Sequence, residues 1–175
     1  CVGACPSSTP FRSAAELVTG IDMPAAPIGA LRRRLTDGLT ALGATPNKIV
    51  VFGCQHGADL GRRADPGVLP LDLTCIAQMP PSFVEYALRD GAAGVVVSAC
   101  TEGGCVFRLG QRWTAQRLQG IREPHLRQCV PGESLEMVWA DAGDEADLQS
   151  AIGTLRSRLA SSMQAKGITA AHAHG

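Results

Sequence analysis

The chain has 175 residues, of which 45% are hydrophobic; this suffices for one domain with a hydrophobic core, and a second full domain is not expected. Sixteen basic and sixteen acidic residues cancel, so the net charge gives no reason to expect nucleic acid or an anionic membrane surface as a partner. Neither a long apolar stretch nor a signal-peptide pattern is found, which favours a cytoplasmic protein without direct membrane insertion.

The amino-terminal third is predicted to contain a linker and one helix. Residues 1–27 read as a loop or linker, because prolines interrupt every periodic pattern in them. From Ile28 to Leu42, apolar residues recur at spacings of three and four and stop before Gly43. This pattern predicts an amphipathic helix.

The rest of the chain alternates predicted strands with predicted helices. Four short apolar runs have the profile of buried strands: 48–52, 68–73, 94–98 and 135–139. Pro70 confines the second of these strands to an edge or a bend of the sheet. Helices are predicted at 82–89, from about 107 to 121 and from 144 to about 164, and residues 166–175 are expected to form a flexible tail.

This alternation predicts the fold class and the place of a ligand site. Helices between strands favour right-handed crossovers, and therefore a mainly parallel sheet covered on both faces. We predict an α/β fold over residues 28–165: a three-layer sandwich with about four strands. Ligands of such sheets collect beyond the carboxyl ends of the strands.

Four of the seven cysteines follow the predicted strands, namely Cys54, Cys75, Cys100 and Cys105. An odd cysteine count without a secretory signal favours metal or redox chemistry over a disulfide framework. If the strands are parallel neighbours, these four sulfurs meet at one edge of the sheet. Four thiolates suit a tetrahedral zinc ion or an iron–sulfur cluster, whereas the simplest alternative is that they are small buried hydrophobic residues.

The loop between Cys100 and Cys105 favours the cluster over zinc. Its two glycines allow the backbone to bend around a bulky inorganic group and to aim N–H groups at it. Structural zinc sites more often use a C-x2-C pair, which the chain lacks. Cys129 has no comparable setting and is interpreted as a free thiol.

Three blocks of sequence, residues 50–60, 75–83 and 91–105, closely resemble the delta, iron–sulfur subunit of methyl-viologen-reducing hydrogenase. The resemblance extends over about residues 46 to 160. It implies one 2Fe–2S cluster with Cys54, Cys75, Cys100 and Cys105 as ligands, which passes electrons between a hydrogenase and a flavin-containing heterodisulfide reductase subunit. The chain departs from the family in having Cys54 alone where a C-x2-C pair is common, and Thr101, Glu102 and Gly104 where His and Asp are common.

The first residues are similar to a second family. Cys1-Val-Gly-Ala-Cys5-Pro6 resembles the end of the C-x2-C-x2-C-x3-C-P run of bacterial-type ferredoxins. This resemblance implies that residues 1–27 are the remnant of a ferredoxin module and a linker, with Cys1 and Cys5 as 4Fe–4S ligands in a longer protein. The alternative is a pair of exposed thiols in a linker.

Other residues are weaker candidates for a functional role. His56 lies near Cys54 as a possible ligand, and Glu102 is a candidate for tuning the charge of the site. Arginines near the cysteine loops suggest a docking rim or a solvated helix face: Arg62, Arg63, Arg108, Arg112 and Arg117. Trp113 is expected in the core or at an interface, and His172 and His174 in a solvated tail.

We therefore predict an electron-transfer module with no substrate site of its own, so whether it counts as an enzyme is left open. The expected partners are a ferredoxin module in the same chain and a hydrogenase or flavoprotein oxidoreductase subunit. One alternative is a structural four-cysteine zinc domain without redox activity. The other is a thiol–disulfide enzyme with Cys100 or Cys105 as the nucleophile near a helix N-terminus.

Overall fold

A computed structural model describes residues 18–20, 22–61 and 65–172. The strands are β1 (Ile49–Cys54), β2 (Val68–Leu73), β3 (Gly94–Ala99) and β4 (Leu135–Trp139). The helices are α1 (Ile28–Ala41), α2 (Ser82–Arg89), α3 (Gly110–Leu118) and α4 (Glu145–His172), and two short 3₁₀ turns cover Ile76–Gln78 and Gly132–Ser134. None of the helices in these ranges is both long and apolar enough to span a bilayer.

The four strands form one parallel sheet in the order β2-β1-β3-β4. Helices cover both faces. On one face α1 and α2 pack against β1 and β3, and Phe83 of α2 meets Phe52 of β1 edge to face at 6.2 Å between ring centroids. On the other face Leu155 and its neighbours in α4 pack against Val51 and Val96. The predicted three-layer α/β sandwich is confirmed.

The order of the strands creates a switch point between β1 and β3. The chain leaves β1 to form β2 on one side and returns to form β3 on the other. The crossover loops therefore diverge at the carboxyl ends of β1 and β3, where open parallel sheets bind their ligands. The expectation that Pro70 restricts its strand to an edge is also confirmed, because β2 is an edge strand.

The first strand is longer than predicted. The sequence predicts an end at Phe52, because glycine often interrupts a strand, but Gly53 pairs with Asp72 and Ser98 on its two neighbours. A side chain at Gly53 would overlap Leu60, whose Cδ1 lies 2.5 Å from the position of a Cβ. The glycine thus provides room for the loop after β1 to fold back over the strand, and Cys54 becomes the last residue of β1.

The third and fourth helices differ from the prediction in length. The sequence predicts a third helix from about residue 107 to 121, but α3 begins at Gly110 because Arg108 has a left-handed backbone, with φ of 64°. It ends at Leu118, two residues before Gly120, which has φ of 78°. Helix α4 continues beyond the predicted end near Gln164 as far as His172.

The connection between β1 and β2 contains no helix in its described residues, 55–61 and 65–67. It is held on the α4 face of the sheet by an ion pair. Both terminal nitrogens of Arg156 on α4 donate to the carboxylate of Asp65, at 2.6 and 2.7 Å. The N–H of Gly67 also donates to Asp65 at 3.0 Å, so the carboxylate fixes the turn that leads into β2.

Candidate metal centre

Two cysteines stand at the switch point itself. Cys54 ends β1, and Cys100 follows the last residue of β3, and both side chains are buried. The Cys54 thiol donates to the carbonyl of Thr74, the residue before Cys75, at 3.8 Å. The parallel register that aligns β1 with β3 therefore brings residues 46 positions apart in sequence to one place.

The other two cysteines reach the same edge from loops. Cys75 lies between β2 and the 3₁₀ turn, and Cys105 lies in the loop before α3. Both sulfurs face Gly110: the position of a Cβ on this glycine is 2.5 Å from Cys75 Sγ and 3.9 Å from Cys105 Sγ. Any other residue at 110 would push into the space that the two thiols share.

Neighbouring thiols contribute to the pKa shifts of Cys75, Cys100 and Cys105. Burial is the largest cause that raises the pKa of Cys100 to about 12, with further contributions from the neighbouring thiols of Cys54 and Cys105. Burial also raises the pKa of Cys75, and Cys54 and Cys105 add to that effect, although the N–H of Ala77 opposes it. The thiols of these cysteines therefore lie near one another at this edge of the sheet.

Cys105 is the exception, with a pKa below its ordinary value. Burial by itself raises the pKa of Cys105. Hydrogen bonds from the backbone N–H groups of Gln111, Gly110 and Phe107 and from the thiol of Cys100 lower it, and together they outweigh the effect of burial. The first turn of α3 has no side-chain cap, so the sulfur of Cys105 accepts hydrogen bonds that a capping residue would otherwise accept. This position therefore favours a thiolate.

The sulfurs do not surround a single point in this structure. Among the described residues, no three Cys, His, Asp or Glu side chains are grouped closely enough to hold one metal ion. The four cysteines are neighbours around Gly110 and the switch point, without a closed single-ion site.

Asp141 holds the loop that carries Cys100 and Cys105. The hydroxyl of Thr101 donates to Asp141 Oδ2 at 2.6 Å, and the N–H of Thr101 donates to Oδ1 at 2.8 Å. Gly104 lies against the same carboxylate, with Oδ1 only 2.6 Å from the position of a Cβ. The loop is thereby fixed to the residues that follow β4.

A family model described as the delta subunit of methyl-viologen-reducing hydrogenase matches residues 49–161, which is more than half of the chain. The chain belongs to this family. It is also 25% identical over 120 residues to the iron–sulfur subunit of the F420-non-reducing hydrogenase vhc of Methanococcus voltae, a match that covers 64% of this chain and 83% of the relative. The resemblance identified from the cysteine blocks is confirmed.

The remaining candidates of this delta-subunit family member lie around the cysteines. His56 is half-buried, with its ring edge to face against Phe107 at 6.0 Å between centroids, and Glu102 is exposed. Cys129 is an exposed free thiol. The expectation that Trp113 lies in the core is wrong, because the core side of α3 carries Thr114 and Leu118. Trp113 is exposed, and the guanidinium of Arg122 lies over its ring.

Several candidates lie outside the described residues or side chains. Cys1, Cys5, Arg62, Arg63 and His174 are outside the described residues. His172 ends α4, and its side chain is likewise not described.

Sequence reasoning missed two residues near the cysteines, Asp141 and Gly110. It also assigned the N–H groups that face the site to the wrong glycines. Asp141 follows β4 by two residues, so the rule that located the cysteines at strand ends also predicts it. Gly110 carried no signal, because its neighbours come from a different loop. The N–H groups near Cys105 come from Phe107 and the start of α3, whereas the N–H of Gly104 donates to the Thr101 carbonyl at 3.2 Å.

Proposed function

We propose that this domain is an electron-transfer module that carries one 2Fe–2S cluster on Cys54, Cys75, Cys100 and Cys105. The observation that carries the proposal is the convergence of these four thiols around Gly110 and the β1–β3 switch point in a chain of a hydrogenase iron–sulfur family. Thiolates are the ligands of such clusters. The donor set fits, since four thiols lie at one edge of the sheet and two of them, Cys75 and Cys105, share space that Gly110 leaves open.

The protein's own residues would set the environment of the centre. The cluster, when bound, supplies reversible one-electron reduction. Cys54 and Cys100 are buried at the strand ends, so they would hold the cluster on a side shielded from water. The N–H groups that reach Cys105 and Cys75 stabilise negative charge on those sulfurs, and such hydrogen bonds raise the reduction potential of iron–sulfur centres.

The family membership supports a proposal about the partners. The matched relative is named as a hydrogenase iron–sulfur subunit, and we propose that this domain exchanges electrons with a hydrogenase or flavoprotein oxidoreductase subunit. We further propose that residues 1–27 are the end of a ferredoxin module and a linker, in which Cys1 and Cys5 bind 4Fe–4S clusters in a longer protein. This second part rests on the C-x3-C-P pattern alone.

Anaerobic reconstitution of the full chain with iron, sulfide and zinc in competition tests the cluster assignment. We expect about two irons and two acid-labile sulfides per chain. Changing Cys54, Cys75, Cys100 or Cys105 singly to serine should reduce that content, whereas Cys129→Ser, Cys1→Ser and Cys5→Ser should not. One zinc ion per chain without sulfide would instead establish the structural zinc alternative.

A further inference from the structure

The exposed large hydrophobic side chains of the described residues are confined to one short segment. They are Val106, Phe107, Leu109, Trp113 and Ile121. Val106 is 61% exposed and Ile121 is 71% exposed, so their side chains contribute apolar surface and not part of a core. We call these five residues the Phe107 patch. Exposed apolar residues gathered in this way mark interaction sites more often than scattered ones do.

Two residues of the Phe107 patch, Val106 and Phe107, lie beside the candidate centre. Val106 and Phe107 follow Cys105 in the chain, and the N–H of Phe107 donates to the sulfur of Cys105. The ring of Phe107 also rests against His56, two residues beyond Cys54. A protein that covers this patch would therefore approach the centre more closely than one bound to either helical face of the sheet.

The segment that bears the patch is strongly basic within a neutral chain. Residues 103–122 contain four arginines, Arg108, Arg112, Arg117 and Arg122, and neither Asp nor Glu. Glu102 and Glu123 flank this segment in the chain, and Glu85 lines one cavity together with Arg117. Both carboxylate oxygens of Asp141 accept hydrogen bonds from Thr101. Arginines around an apolar centre are complementary to a surface with an apolar centre and a carboxylate rim.

Two features of the Phe107 patch are already ordered in the unbound chain: the contact between Arg122 and Trp113, and the backbone conformation of Arg108. The guanidinium of Arg122 lies 4.9 Å from the centroid of the Trp113 ring, and its Nε donates to Gln116 at 3.1 Å, so this pair is already ordered. Arg108 has φ of 64°, a conformation that disfavours residues with a side chain, and it stands between Phe107 and Leu109. A cation is thus present in the middle of the patch at a backbone position where glycine would be easier to accommodate.

We propose that the Phe107 patch and its arginines form the docking surface for an acidic iron–sulfur protein, from which or to which the centre transfers its electron. The inference rests on the proposed function, because it gives the patch a redox partner. The apolar centre would supply the contact area, and the arginines would steer the encounter and set its orientation.

Binding of a defined probe tests this surface independently of electron transfer. The probe is a purified plant-type 2Fe–2S ferredoxin of high negative charge, labelled with a fluorophore, and its anisotropy is followed as the full chain is added at low and at high salt. Arg108→Gly removes the cation while placing glycine at a positive φ, so the fold is preserved. Arg112→Gln and Trp113→Ala are the second and third variants.

The matched control is Arg89→Gln. Arg89 is an exposed arginine that ends α2, and the chain then enters β3, so it lies at the opposite, amino-terminal edge of the sheet. We expect Arg108→Gly, Arg112→Gln and Trp113→Ala each to weaken binding by about 10-fold, and Arg89→Gln by less than about 2-fold. Raising the salt from about 20 to 500 mM should weaken binding of the unchanged chain by more than about 10-fold.

Two results would overturn the proposal. One is affinity for the acidic ferredoxin that does not depend on salt or on the patch variants. The other is an absence of measurable binding even at low salt. Neither depends on whether the chain carries a cluster, so failure of the docking surface and failure of the 2Fe–2S assignment are distinguished by the iron and sulfide content of the same samples.

Discussion

Thr101 and Asp141 form a two-point hydrogen bond that joins the loop after β3 to the residues after β4. The hydroxyl and the N–H of Thr101 donate to the two oxygens of one carboxylate, and these hydrogen bonds keep the pKa of Asp141 below its ordinary value. The loop bearing Cys100 and Cys105 is thus fixed at its first residue, before any group is bound between the cysteines.

Replacing Asp141 by alanine should loosen the centre without unfolding the domain. The variant loses both acceptors of Thr101, so the loop between Cys100 and Cys105 becomes more mobile. Residues that orient ligands in this way affect metal retention by about 10-fold or more. We expect faster loss of iron to a chelator, followed by visible absorbance. Asp37→Ala on the exposed face of α1 is the control, and equal loss from both variants would contradict this role.

Gly110→Ala should disrupt the arrangement of the cysteines. The new Cβ would lie 2.5 Å from Cys75 Sγ, which is closer than any stable contact, so the thiol or α3 must move. We expect the variant to remain folded by circular dichroism but to bind less than half as much iron under identical reconstitution. Full iron content in Gly110→Ala would show that Cys75 is not confined by this glycine.

Gly153→Ala is the matched glycine variant. Gly153 lies within α4 and a Cβ there would have nothing within 4 Å. Alanine restricts the unfolded chain and favours the helix, so the free energy of unfolding should rise by about 0.5–1 kcal/mol. Iron content should stay unchanged. A loss of stability measured by urea denaturation would contradict the open environment of this residue.

The thiols of the metal-free protein should react in a defined order. The pKa of Cys105 is lowered and that of Cys100 is raised to about 12, so at pH 7.5 Cys105 has far more thiolate. Iodoacetamide should modify Cys105 faster than Cys100 by on the order of 100-fold or more. Peptide mapping by mass spectrometry measures both rates, with exposed Cys129 as an internal reference. Similar rates at Cys100 and Cys105 would refute the contribution of the α3 N–H groups.

The ion pair between Asp65 and Arg156 should stabilise the protein only above acidic pH. Hydrogen bonding to Arg156 lowers the pKa of Asp65 from its ordinary value of 3.8. The stabilisation is therefore fully present above about pH 4 and is lost as the pH falls through the lowered pKa of the folded state. Because both side chains are partly exposed, we expect Arg156→Gln to cost about 0.5–1 kcal/mol at pH 7.

A double-mutant cycle with Asp65→Asn separates this pair from other effects of the substitutions. The coupling measured by urea denaturation should be positive at pH 7 and should be smaller at an acidic pH at which Asp65 is protonated in the folded state. A coupling that is the same at both pH values would mean that the charge of Asp65 is not its source.

Much of the fold was predictable from local patterns. Strands β2 and β4 and helix α2 have the predicted bounds. Helix α2 is also marked by prolines before it and Gly91 after it. The cysteines could be located at one edge because parallel strands end together. The bounds of β1 and α3 were not predictable, because they depend on distant partners: Leu60 folding over Gly53, and a thiol replacing the missing cap of α3.

The parts of the site that sequence reasoning missed are contacts between segments far apart in the chain. Gly110 matters because Cys75, 35 positions earlier, occupies the space beside it. The exposed position of Trp113 depends on which face of α3 meets the 3₁₀ turn after Cys75. No local pattern contains this information, although the basic composition of residues 103–122 was visible in the sequence.

The central claim is tested most directly by electron paramagnetic resonance of the reconstituted full chain before and after dithionite. A 2Fe–2S cluster on Cys54, Cys75, Cys100 and Cys105 predicts no signal in the oxidised sample and a rhombic signal on reduction that integrates to about one spin per chain. The signal should be altered or lost in Cys105→Ser and kept in Cys129→Ser. A protein that remains silent after reduction and contains zinc in place of iron would contradict the account.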